Sequence, residues 1–279
     1  MKADYHLHCA YSDDSFTPME SMIKEAIKKG LDEMCFTDHV DYGVKVDHGT
    51  NEVSHTRRRF GCIKRNVDYP NYFKDLKRLQ KKYKDVITIK QGLEFGTQTH
   101  TLDKYEHLYE TYPMDFIILS IHQAHDIEFW GNAFKERSQK EYVEDYYDEM
   151  YKCIKAFKHY CVLGHLDYVN RYDPNGIYPF EKIKDKITLI LKQVIEDGKG
   201  IEVNTSCFNY KQLNGDLTPS RDILKLYKEL GGRIITIGSD AHQRQHIACN
   251  QEEVIRQLKE LGFTEFCTYE KMKPIFHEL

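Results

Sequence analysis

Residues 233–243 read Arg-Ile-Ile-Thr-Ile-Gly-Ser-Asp-Ala-His-Gln. The first six form a short β-branched run, the signature of a buried strand. At its C-terminal end stand a carboxylate, Asp240, and an imidazole, His242, two residues apart. If extended geometry persists, positions i and i+2 project to one face, so both side chains reach toward one site. The N-terminus has a related design, because Asp4-Tyr5-His6-Leu7-His8 carries two imidazoles at the same spacing. Between these ends the chain repeats one pattern, an apolar run that stops at a metal-type ligand.

Working outward, helical and extended periods alternate. After the first strand and the turn Ser12-Asp13-Asp14-Ser15, Thr17-Pro18-Met19-Glu20 has capping-box spacing with proline at the first helical position, and the helix stops at Gly30. Met34 to Thr37 predicts a second strand ending in Asp38-His39, and Val86 to Leu93 a third ending at Glu94. A helix over 72–83 lies between these two. Phe116 to Ile121 predicts a fourth strand ending at His122, and Cys161 to Gly164 a fifth ending at His165. Gly200 to Val203 predicts a sixth ending at Asn204. Helices are expected near 102–111, 138–158, 179–197, 219–230 and 251–261, and a short strand near Phe266. Two stretches, about 41–66 and 123–137, show no clean period and read as irregular insertions. Strand-helix alternation without a composition break indicates one α/β domain over 1–279 with parallel strands. Seven repeats with polar groups at the C-terminal strand ends fit a (β/α)7 barrel better than an open sheet, and that face of such barrels carries chemistry.

Composition excludes several classes. The chain of 279 residues has no apolar run near the ~20 residues a bilayer span requires. No signal-peptide core opens the sequence, which sets a cytoplasmic expectation with no membrane partner. Eight scattered cysteines without CxxC spacing argue against a zinc ribbon or a secreted disulfide scaffold and for reduced thiols. A net charge of −4 leaves no global basic footprint for nucleic acid.

The ligand-type residues at strand ends are His6, His8, His39, Glu94, His122, His165, Asp240 and His242. Each alone has a dull explanation as a hydrogen-bonded loop residue. Six separate strands ending this way do not, because a barrel gathers those ends on one rim. Six imidazoles and two carboxylates exceed the three ligands of a mononuclear catalytic site. Nitrogen and oxygen ligands without thiolate suit divalent Zn, Mn or Fe. Two or three such ions, about 3.5–4 Å apart, are a recurrent device for cleaving phosphate esters. Glu94, alone on its strand, is the natural bridging carboxylate. Cys9 alternates away from His8 and is not expected to ligate.

HLHCAYSDD, FTDH, GLEFG, SIH, GHLD and GSDAH, in this order, resemble the motifs of the polymerase-and-histidinol-phosphatase (PHP) family. The resemblance covers essentially the whole chain and extends to NRYDP and GFTEFCTYEKMKP, as in the histidinol-phosphate phosphatase branch. It implies a distorted seven-stranded barrel and a trinuclear centre. By the family pattern His6, His8, Glu94 and Asp240 hold the first ion, and Glu94, His122 and His165 the second. His39 and His242 hold the third with the residue six after His8. Many relatives place histidine there; this chain has Asp14, with Asp13 adjacent. The resemblance also implies the substrate, L-histidinol phosphate, cleaved to histidinol and phosphate.

A phosphomonoester also needs donors away from the ions. Arg171, six residues after His165, is the first choice as a phosphate clamp, because a guanidinium matches phosphate oxygens in a bidentate way. His125, Asn204 and Thr205 are further candidate substrate contacts. Arg57, Arg58 and Arg59 could line a lid, although a charge run more often forms a solvated face. The reading is a metal-dependent phosphomonoesterase in which a metal-bridging hydroxide attacks phosphorus and Asp240 or His242 helps protonate the departing alkoxide. Another PHP phosphoesterase, a phosphodiesterase or 3′–5′ exonuclease, and a non-catalytic metal-binding barrel are the alternatives.

Overall fold

The computed structural model describes residues 1–50, 58–59, 62–130 and 134–279. Strands β1 (Ala3–Leu7), β2 (Glu33–Phe36), β3 (His39–Val40) and β4 (Thr88–Gly96) are followed by β5 (Phe116–Ser120), β6 (Val162–Leu163), β7 (Gly200–Asn204) and β8 (Ile235–Gly238). All pair in parallel in the order β1-β2-β4-β5-β6-β7-β8, with the short β3 also on β4. The seam is closed by a parallel bridge between Leu7 and Ala241. There the His8 N–H donates to the Ala241 carbonyl (3.0 Å), and the Ala241 N–H to the His6 carbonyl (3.3 Å). The result is a nearly closed seven-stranded barrel. Runs such as Phe116-Ile-Ile-Leu-Ser are buried throughout, as expected of parallel strands covered on both faces.

Helices α1 (Met19–Lys28), α2 (Tyr69–Tyr83), α3 (Leu102–Thr111), α4 (Gln139–Ala156), α5 (Phe180–Glu196), α6 (Arg221–Glu229) and α7 (Gln251–Glu260) connect the strands. Each buries an apolar stripe, for example Met22, Ile23 and Ala26 of α1. Ser138 begins α4 with a full capping box, its hydroxyl accepting from the Glu141 N–H and the Glu141 carboxylate from the Ser138 N–H. The box expected at Thr17 does not form: Pro18 is the N-cap and no side chain caps the helix. The Thr17 hydroxyl instead donates to the His242 carbonyl (3.4 Å), beside that of Ser15 (2.8 Å). Glu20, the other half of the expected box, pairs with Lys82 (2.7 Å) and Tyr83 (2.8 Å). Tertiary partners at the barrel rim have outcompeted the local cap.

The C-terminal strand is one arm of an antiparallel hairpin, β9 (Glu265–Glu270) and β10 (Lys273–Glu278). The Tyr269 ring packs on Phe116 (5.0 Å between centroids), which in turn meets Tyr5 edge-on (5.0 Å). The 41–66 segment contains a ribbon of Arg58–Arg59 with Cys62–Ile63, while Arg57 lies outside the described residues. The 123–137 segment contains a second ribbon, Gln123–Ala124 with Ile127–Glu128. The cysteines whose surroundings are described are free thiols. Among the described residues no helix is long and apolar enough to cross a membrane.

Candidate metal centre

The C-terminal rim of the barrel surrounds a cavity of about 480 Å³ whose lining includes His39, His122, His165, Asp240 and His242. Glu94 is fully buried, within 3.1 Å of three of the lining imidazoles, His39, His122 and His165. Its strand does not end at this residue, contrary to expectation: β4 runs two residues further, paired with β5 as far as Gly96 and with β3 as far as Phe95, a register that sets His39 opposite Glu94. Its two oxygens face different imidazoles. Oε2 lies 3.2 Å from His6 Nε2, 3.5 Å from His8 Nε2 and 2.8 Å from His39 Nδ1. Oε1 lies 3.1 Å from His122 Nε2 and 2.9 Å from His165 Nε2. Asp240 Oδ1 completes the first group, 3.6 Å from His6 Nε2 and 3.4 Å from His8 Nε2.

A third group lies at the cavity mouth. His39 Nε2 and His242 Nε2 are 3.3 Å apart, and Asp14 Oδ2 is 3.5 Å and 3.4 Å from them. Asp13 instead turns away to Lys45 (2.7 Å), which makes Asp14 the ligand-type aspartate of the pair. The extended geometry expected through Asp240 and His242 breaks at Asp240, whose φ of 55° is left-handed. Both side chains still converge, because the turn directs the His242 Nδ1–H onto the Asp240 carbonyl (3.0 Å).

Outward-facing acceptors fix which nitrogen of several rings carries hydrogen. His6 Nδ1 donates to Glu202 Oε1 (2.5 Å), and His122 Nδ1 to Asp41 Oδ1 (2.7 Å). The Nε2 lone pairs of His6, His122 and His242 therefore face inward. His6 Nε2, His8 Nε2 and Glu94 Oε2 are buried with no hydrogen-bond partner among the described residues. Lone pairs pointed at lone pairs in a buried site call for a proton or a metal cation between them. The spacing fits one: ligands bonded at 2.0–2.1 Å around a tetrahedral ion stand roughly 3.3–3.4 Å apart. The contacts of His6, His8, Glu94 and Asp240, and those among His39, His242 and Asp14, lie between 3.2 and 3.6 Å apart from the His39 Nδ1 contact with Glu94. Burial alone would raise the Glu94 pKa, but the imidazoles of His6, His122 and His39 hold its carboxyl well below the usual range. Burial likewise opposes a charge on His122, yet Glu94 and Asp41 push it up to about 10. The same electrostatics attracts a divalent ion, which displaces such protons.

Arg171 is buried at 2 % exposure and lines the cavity. Its NH1 donates to Asp240 Oδ2 (2.9 Å), and its guanidinium lies over Tyr168 (5.3 Å) and Tyr210 (4.9 Å). Its Nε and NH2 have no partner among the described residues.

The other expected substrate contacts lie elsewhere. His125 is exposed at the turn of the Gln123–Glu128 ribbon, where it and Asp126 have φ of 53° and 58°. Asn204 is fully buried; its amide donates to Glu202 (3.3 Å) and Asp240 (3.4 Å), and its oxygen accepts from Ser206. That makes it a support for Asp240 rather than a cavity wall. Thr205 meets Cys249 instead of the cavity, and Cys9 donates its thiol to Asp38 (3.2 Å).

Four supporting residues escaped the sequence reading: Asp4, Asp41, Lys45 and Glu202. Asp4 accepts from the Ser239 N–H (2.8 Å), the Ser239 hydroxyl (2.6 Å) and the Ala248 N–H (2.8 Å), anchoring the loop that bears Asp240 and His242. Glu202 was detectable as a lone acid inside the apolar run Gly200–Asn204, since an unpaired charge is almost never fully buried. Asp41 stands two residues after His39, the same spacing as the HxH pair.

Comparison with known proteins agrees with this geometry. The PHP domain family matches residues 4–206. A histidinol-phosphatase of Lactococcus lactis is 32 % identical over 98 % of this chain and 96 % of its own. One from Bacillus subtilis is 25 % identical over 87 % and 94 %. The crystal structure of a Lactococcus lactis histidinol phosphate phosphatase complexed with zinc, L-histidinol and phosphate superposes with a TM-score of 0.84. Its identity is 30 %, with 98 % of both chains covered. A rim that collects ligand-type residues from β1, β3, β4 and the ends of β5, β6 and β8, matched by motif and by fold, places this chain in the PHP-domain family.

Proposed function

We propose that the protein hydrolyses a phosphate monoester, L-histidinol phosphate, to L-histidinol and inorganic phosphate in histidine biosynthesis. The observation that carries this reading is the polyhedron of inward-facing lone pairs around Glu94, spaced for two or three divalent ions of the Zn, Mn or Fe class. His6, His8, Glu94 and Asp240 would hold one, Glu94, His122 and His165 a second, and His39, His242 and Asp14 a third. When bound, such ions polarise phosphate oxygens and lower the pKa of water toward neutrality.

The chain's own residues do the rest. Glu94 offers one oxygen to each of two neighbouring ligand groups and fixes their separation. Arg171 is held by Asp240 and two tyrosine faces where it lines the cavity, and its guanidinium serves as the phosphate clamp. Asp240 or His242 hands a proton to the departing alkoxide, His242 being the more exposed of the two (27 % against 9 % of the side chain). Trp130, Tyr168, Tyr172 and Tyr210 line the same cavity and offer apolar faces to a small heteroaromatic alcohol. The buried free thiols support a reducing, cytoplasmic setting.

The test is phosphate release from histidinol phosphate, compared at matched enzyme concentration with other small monoesters and with a single-stranded oligonucleotide. Preferential release from histidinol phosphate is expected. Degradation of the oligonucleotide with no release from the monoesters overturns the substrate assignment.

A further inference from the structure

Lys45 lies in the 41–66 segment, yet its side chain is only 3 % exposed and lines the cavity. Its ammonium bridges two carboxylates from different loops, Asp13 Oδ1 at 2.7 Å and Asp41 Oδ2 at 2.9 Å. The Lys45 N–H also donates to the Asp41 carbonyl (2.9 Å), a single helical turn that brings the side chain back onto the acid four residues earlier. Each acid leads to a ligand-type residue. The other oxygen of Asp41 holds His122 Nδ1 (2.7 Å). Asp13 immediately precedes Asp14, which faces His39 and His242.

We propose that Lys45 is a positioning residue that ties together two parts of the metal centre, orienting His122 through Asp41 and the Asp14 loop through Asp13. This rests on the metal-centre reading above. Without the ammonium two buried acids face each other unscreened. Asp41 is then free to leave His122, and Asp13 to carry Asp14 away from His39 and His242. Loss of a hydrogen-bond partner behind a ligand lowers metal affinity about 10–100-fold. Here two ligand groups are affected at once, whereas the His6, His8 and Asp240 group has no contact with Lys45 among the described residues.

The experiment counts zinc per chain by mass spectrometry after dialysis against a chelator that leaves the wild type its full complement. Lys45→Met is expected to keep one ion where the wild type keeps two or three, and Lys45→Arg to restore most of the loss. Since Lys45→Met leaves a buried acid uncompensated, the double variant Lys45→Met/Asp13→Asn decides the matter if the single one unfolds. A lysine that merely neutralised charge would be dispensable there, so a folded double variant with full zinc refutes the role of Lys45. A wild type that retains no zinc refutes the metal reading itself, and the proposal with it.

Discussion

Glu202→Gln is the substitution whose consequence follows most directly from the geometry. Glu202 accepts three hydrogen bonds, from His6 Nδ1 (2.5 Å), the His165 N–H (2.8 Å) and the Asn204 amide (3.3 Å). Glutamine has the same shape, so no cavity opens. One end of its amide is a donor, however, and in either orientation that end meets another donor: His6 Nδ1–H, or the His165 N–H. A buried donor left without an acceptor costs about 1–3 kcal/mol. Partners behind metal-binding imidazoles are worth about 10–100-fold in affinity, or roughly 1.4–2.8 kcal/mol, and the two ranges coincide. The dissociation constant of the tightest ion, measured by competition with a chelator of known affinity, should therefore rise about 10–100-fold. Turnover at saturating metal should fall less, because Glu202 holds His6, a proposed ligand, and does not line the cavity. Unchanged metal affinity in a folded variant would refute the reasoning.

Other expectations are as concrete. Arg171→Lys keeps the charge but loses the planar fork, and kcat/KM for the monoester should fall about 10–100-fold, a charge-assisted hydrogen bond being worth roughly 1.5–3 kcal/mol; an unchanged value would remove Arg171 from phosphate binding. A methyl group added at Gly96 would sit 1.8 Å from Asp41 Oδ1 and 2.7 Å from His122 Nδ1. Gly96→Ala should therefore push Asp41 off His122 and cut retained metal while circular dichroism stays native, and full metal content would contradict this. Glu33 lies away from the metal centre, where burial raises its pKa above 4.5 although the Tyr5 hydroxyl donates to it. The folded chain then holds that proton more tightly than the unfolded one, so the contribution of Glu33 to stability is lost as pH rises beyond about 4.5. Glu33→Gln keeps an acceptor for Tyr5, and in urea unfolding it should match the wild type near pH ~4 and gain on it toward pH ~7. A difference that does not vary with pH would exclude this cause.

The barrel was legible because each parallel strand is an almost unbroken apolar run, and the centre because each run ends in an unusual residue. His6, His8, His39, His122, His165 and His242 all converge where a shared rim requires. What escaped was the support. Asp41 and Lys45 belong to a stretch without periodicity, and their significance is a pairing with Asp13 and His122 that only tertiary structure creates. Asn204 and His125 were misplaced for a related reason: a strand end or loop can face the cavity or its back, and the sequence carries no sign of which. The Thr17 cap failed because local propensity lost to the His242 carbonyl, a partner 225 residues away.

The central claim is that these buried lone pairs surround cations. Anomalous diffraction from crystals grown with zinc, recorded on both sides of the metal edge, tests it most directly. The expected map has two or three peaks, one among His6, His8, Glu94 and Asp240, a second among Glu94, His122 and His165, and the third, when filled, among His39, His242 and Asp14. A map with no peak touching Glu94, in crystals containing zinc elsewhere, would contradict the account.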